Sequence, residues 1–112
     1  MKPVIPVICL TLLTGCSSLS YLRGQEPVLD GSSSKSPAEL AQCVHDQWTH
    51  HGFTTELVTA GAGRSVLVPR TFGGYRVVLD ATPTSQGSDF SLYERLPHVT
   101  SVAFENGVAF CK

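Results

Sequence analysis

The chain has no uninterrupted apolar run of the roughly 20 residues that a membrane-spanning helix needs. Its N-terminal run, Val4 to Leu13, is far shorter and is broken by Pro6 and Thr11. Basic runs are also absent: eight Lys and Arg against nine Asp and Glu leave a formal net charge of −1. The composition therefore points to neither nucleic acid nor anionic lipid as a partner. There is no Cys-x-x-Cys, so the usual spacing of redox pairs and zinc sites is missing. The Gly-rich turn Gly61-Ala62-Gly63-Arg64 lacks both the Lys-Ser/Thr of a phosphate-binding loop and the third Gly of a dinucleotide fingerprint. It reads as a hairpin turn.

What is present begins at the N-terminus. Met1-Lys2 carries one positive charge, an apolar stretch follows, and small residues precede Cys16. That is the layout of a secretory signal, which does not belong to the fold. The four residues that close it, Leu13-Thr14-Gly15-Cys16, resemble the lipobox of bacterial lipoproteins. The resemblance implies cleavage before Cys16, a diacylglycerol on the Cys16 thiol and an acylated new amino group. Several acyl chains anchor a protein firmly where one does so marginally. Ser17, where an Asp would imply inner-membrane retention, implies the outer membrane, with the protein facing the periplasm.

By the same resemblance Cys9 leaves with the signal and Cys16 is lipidated. Cys43 and Cys111 remain. In an oxidising periplasm such a pair points to one disulfide. The expected organisation is a signal over residues 1–15, a flexible tether over 16–36, rich in Ser and Gly, and a single domain over 37–112. A domain this small has a marginal core and gains from a covalent staple.

Within the domain, Ser36-Pro37-Ala38-Glu39 is a helix start with a cap, a first-position proline and a capping-box glutamate. The helix should run to His50 or His51 and stop at Gly52. Leu40, Cys43, Val44, Gln47 and His51 would follow one face, with Trp48 beside it. Strands are expected over 54–59, 65–68, 75–80 and 90–95, with Tyr75, Val77 and Leu79 on one face and a polar loop over 81–89. The tail fits two readings. Val99, Val102, Ala103, Asn106 and Phe110 have helical spacing, while Asn106-Gly107 between apolar runs is a hairpin signal. A helix would bring Cys43 and Cys111 together. The expected class is α+β: a small antiparallel sheet of about four strands, packed against an N-terminal and a C-terminal helix. That order, with a Cys near each end, is also similar to small, functionally uncharacterised proteobacterial periplasmic lipoproteins, a likeness that implies no activity.

Candidate chemistry is sparse. His45, His50 and His51 are spaced five and six apart rather than the i, i+4 of helical metal ligands, and His50 and His51 read as complements to the helix dipole. Ser32 and Lys35 match Ser-x-x-Lys without the partner motifs of an acyl-enzyme. Asp80, Asp89 and Glu94 read as solvated carboxylates. Arg64, Arg70 and Arg76 with Phe72 and Tyr75 surround one predicted hairpin. Arg and Tyr anchor interfaces, so Arg70, Phe72, Tyr75 and Arg76 are the expected partner-binding residues; the plainer reading has arginine guarding a sheet edge. No catalytic residue, metal or cofactor is expected. The expected function is a non-enzymatic, outer-membrane-anchored module that binds an envelope protein or assists envelope assembly. The alternatives are a periplasmic immunity protein against a toxin, and a small cell-wall-directed hydrolase or binder.

Overall fold

The computed structural model describes residues 18–96 and 102–112. The signal over 1–15, Cys9, Cys16, Ser17 and His98 lie outside the described residues. Five strands and two helices follow one another: β1 (Leu29–Ser33), α1 (Pro37–His50), β2 (Glu56–Ala60), β3 (Gly63–Pro69), β4 (Tyr75–Thr84), β5 (Gly87–Glu94) and α2 (Ala103–Cys111). A helical stretch over 18–23 precedes them. All strand pairs are antiparallel, in the order β1-β5-β4-β3-β2. The expected α+β class holds, with five strands instead of four.

Helix α1 starts as its sequence dictates. Glu39 N donates to Ser36 Oγ at 3.2 Å, and Ser36 N donates to Glu39 Oε1 at 3.1 Å. Gly52, at φ 93°, ends it. Leu40, Ala41, Val44 and Trp48 form the buried stripe. Trp48 is thus central to the stripe, and His51 is exposed. Against that stripe lie Val66, Val68, Val77, Leu79, Ala81, Phe90 and Leu92 of the sheet, with Phe104 and Val108 of α2.

The tail is a helix, and its packing shows why Asn106-Gly107 does not turn. Trp48 Nε1 donates to Phe104 O at 3.1 Å, and the two rings meet edge to face at 5.2 Å. A Cβ on Gly107 would stand 2.8 Å from Trp48 Nε1. Gly107 is there for close approach between helices. Cys43 and Cys111, with Cα atoms 5.8 Å apart, form the disulfide and tie α1 to α2.

Two expectations need correction. The tether expected over 16–36 is folded wherever it is described. Leu22 is fully buried with Leu67 and Val78 on the sheet face opposite the helices, joined by Leu19, Tyr75 and Tyr93. Arg23 donates to both carboxylate oxygens of Asp80, each at 2.8 Å. Residues 29–33 pair with β5 from Leu29↔Leu92 to Ser33↔Ser88. The reason lies in placement: few apolar residues suffice when each one covers a second sheet face that would otherwise be wet. The polar loop expected over 81–89 is instead a hairpin, with Thr84 paired to Gly87 around a two-residue turn. Its polar side chains are those of an exposed hairpin. Strand β4 outruns β3, whose last pair is Arg64↔Ala81, so Pro83 has one neighbouring strand and is tolerated there.

A third difference positions the site. Val68 pairs with Val77 but Pro69 pairs with Tyr75, leaving Arg76 as an extra residue in β4. This bulge breaks the alternation. Tyr75 joins the Leu22 face, while Val77 and Leu79 face the helices.

Candidate functional site

At the end of the sheet beyond the bulge, the β3–β4 turn folds back on itself. Arg70 N donates to Gly74 O at 2.9 Å, and Gly73 and Gly74 take φ values of 100° and 74°. Only glycine adopts these conformations without strain. The turn raises Phe72 almost entirely into solvent, at 96 % exposure. Together with the end of β5 it forms an open concavity of about 300 Å³, lined by Arg70, Thr71, Phe72, Arg76, Arg95 and Leu96.

Three of the four residues expected to meet a partner therefore come together: Arg70, Phe72 and Arg76. The fourth, Tyr75, does not line the concavity. It packs toward Leu22, and its hydroxyl donates to Glu56 Oε1 at 3.2 Å. Burial, and then the Glu56 carboxylate, push its pKa above the ordinary tyrosine value. Arg95 and Leu96 complete the concavity and were not legible beforehand. Arg95 lies 19 positions beyond Arg76, and only the pairing of β4 with β5 brings it alongside.

Two of the three guanidinium groups, those of Arg76 and Arg95, are held by their neighbours. Arg76 lies over the rings of Phe104 and Phe53, at 5.3 and 5.6 Å from their centroids. Its Nε is buried with no hydrogen-bond partner among the described residues. Arg95 donates from Nε to Tyr75 O at 3.2 Å and from Nη2 to Ser18 Oγ at 2.9 Å, and stacks over Tyr21 at 5.0 Å. Among the described residues no carboxylate lines the concavity. Its chemistry suits an anionic group beside an apolar one.

The other candidates are dispersed. Asp80 is engaged by Arg23, which raises the arginine pKa through their hydrogen bonds. Asp89 accepts from Ser32 at 3.0 Å. Glu94, at 1 % exposure, pairs with Val77 on the helix-facing side of the sheet. Lys35 Nζ donates to Cys111 O, away from Ser32. His45 Nδ1 bonds the Thr55 hydroxyl, and His51 bonds Gln47 O at 3.0 Å. Among the described residues no group of three His, Cys, Asp or Glu is arranged to hold a metal ion. Gly61-Ala62 is the β2–β3 hairpin turn, and Arg64 Nη1 caps Gly63 O at 2.9 Å.

A second feature is the strand β2. It is one of the two edge strands of the sheet, opposite β1, and all five of its residues are exposed. Leu57 and Val58 are 41 % and 38 % exposed. Among the described residues no strand pairs with its outer edge. Arg64, Arg70 and Arg76 are not in this strand, so they do not guard the edge.

No described helix is long and apolar enough to cross a membrane. Comparison of the chain with known family models, curated proteins and solved structures finds no match.

Proposed function

We propose that the protein is a lipid-anchored, non-enzymatic accessory module on the periplasmic face of the outer membrane, which binds an envelope protein by strand addition along β2. The observation that carries this reading is the open, fully exposed β2 edge, whose one charged residue, Glu56, stands at its start and is engaged by the Tyr75 hydroxyl. Exposed strand edges offer a row of unpaired backbone groups, and proteins ordinarily blunt them with Lys, Pro, bulges or a covering element. Glu56-Leu57-Val58-Thr59-Ala60 has neither Lys nor Pro. An extended segment of a partner would complete its hydrogen bonds, with alternate side chains of that segment meeting the two faces of the sheet. The lipobox supports the location, and anchoring raises the local concentration of both partners. The β2 edge is favoured over the Arg70–Phe72–Arg76 turn because it offers a continuous backbone register.

Two measurements test the reading. Cys16→Ser should move the protein out of the membrane fraction; retention of the variant there removes the lipobox argument. Affinity capture from detergent-solubilised envelopes should recover an envelope protein with the wild-type chain and lose it with Val58→Lys, which places a charge on the edge without touching the core. Equal recovery by the variant refutes strand addition at β2.

A further inference from the structure

We infer that the cationic end of the sheet, built by Arg70, Phe72, Arg76 and Arg95, rests on the phospholipid headgroups of the membrane that holds the lipid anchor. The inference depends on the lipid anchor at Cys16. It adds an orientation that the anchor alone does not dictate.

The position of Ser18 carries it. Ser18 Oγ accepts from Tyr75 N at 3.0 Å and from Arg95 Nη2 at 2.9 Å. A Cβ on Gly74 would stand 2.7 Å from the same oxygen. Ser18 is thus seated against the β3–β4 turn and the end of β5, bonded to Arg95, which is one wall of the concavity. Cys16 precedes it by two residues, and two residues of chain span at most about 7 Å. A tether of twenty residues would let the domain face any direction. A two-residue link does not: the bilayer surface must lie against the end of the domain where Ser18 is bound.

What that end presents matches what it would meet. Phospholipid headgroups offer phosphates at the level where the acyl chains begin. Arg70, Arg76 and Arg95 line the concavity, with no carboxylate among its described walls. Phe72 projects from the same turn into solvent, with Leu96 exposed at its side. An aromatic ring beside guanidinium groups suits the interface between water and hydrocarbon. Basic side chains within a Debye length of an anionic surface are drawn to it. A single exposed phenylalanine in a soluble domain would be unremarkable; one placed two residues from Gly74, which touches the seat of the anchor-bearing segment, has a surface to enter.

The test uses the lipidated full chain in vesicles of phosphatidylethanolamine and phosphatidylglycerol, with and without bromine on the acyl chains. Phe72→Trp adds an indole at a fully exposed site, so folding is preserved. The native Trp48 is fully buried, and its emission is subtracted using the wild-type chain. The expected result is co-flotation with vesicles, a blue shift of the added indole and its quenching by brominated lipid. Adding Arg70→Glu, at an exposed turn position, should return the emission toward that in water. Failure to float overturns the anchor and this inference together. Flotation with the indole still in water overturns the orientation alone and leaves the anchor standing. So does quenching that Arg70→Glu leaves undiminished, because the charge would then play no part. An indole shielded only when an envelope protein is added assigns this end to a protein and likewise overturns the inference.

Discussion

Leu22→Ala separates a folded N-terminal segment from a flexible one. The Leu22 side chain is fully buried between the helical stretch 18–23 and the sheet, against Leu67 and Val78. Leu→Ala at buried positions costs about 2–5 kcal/mol, through lost transfer energy and the residual cavity. This small cluster lies under one short helix that can settle into the gap, so the cost should fall near the low end, about 2–3 kcal/mol. In a tether the same change would stay within about 0.5 kcal/mol. With a slope of about 1.5 kcal/mol per molar, within the range for small proteins in urea, the midpoint should drop by about 1–2 M. The assay is urea unfolding followed by Trp48 emission, in a Cys16→Ser background with the disulfide intact. Arg23→Ala is the comparison: its pair with Asp80 is partly exposed, and such pairs contribute under about 1 kcal/mol. A midpoint unchanged by Leu22→Ala would refute the docking of residues 18–23, and with it the short reach from Cys16 to the sheet end.

Reduction of Cys43–Cys111 should lower stability by about 4 kcal/mol on the loop-entropy account, given the long loop it closes. Thermal unfolding with and without reductant measures this, and a loss below about 1 kcal/mol would contradict it. Gly107→Ala should destabilise by about 1–3 kcal/mol, because its methyl would collide with the Trp48 ring. In an uncrowded helix the same change would stabilise, so the sign of the shift decides. Tyr75 adds a pH dependence. Its raised pKa means the native state keeps the phenol proton after the unfolded chain has lost it, so stability falls as pH rises from about 10 through the folded value. Tyr75→Phe should flatten that part of the stability curve above pH 10, and an unchanged slope would argue against the burial and the Glu56 contact that raise its pKa.

Much of the architecture was legible because it rests on local rules. The capping box at Ser36 and Glu39, the stop at Gly52 and the apolar spacing of Leu40 and Val44 announce α1 directly. The hairpin at Gly61-Ala62 and the runs of Val and Leu announce β3 and β4. What escaped is non-local. Residues 18–33 are too polar to read as part of a core, since their few apolar side chains matter only when laid against a particular sheet face. The bulge at Arg76 leaves no periodic trace, and simple alternation puts Tyr75 on the face of Val77. Asn106-Gly107 carries a turn signal that packing against Trp48 overrides. At the candidate site, Arg70, Phe72 and Arg76 were visible as neighbours along the chain. Arg95 was not, because its place beside them comes from strand pairing.

Chain order alone thus settles the class of the fold and, through the pattern around Cys16, the expectation of a lipid anchor. These depend on short-range spacing, which a linear chain displays. Tertiary structure decided which charges share a surface. The net charge of −1 shows no cationic site, yet antiparallel pairing and one bulge gather three arginines at a single end. It also decided where Ser18 sits, bonded to Tyr75 and Arg95 at that same end. Electrostatic fields and side-chain contacts are properties of positions in space, and sequence distance does not set them.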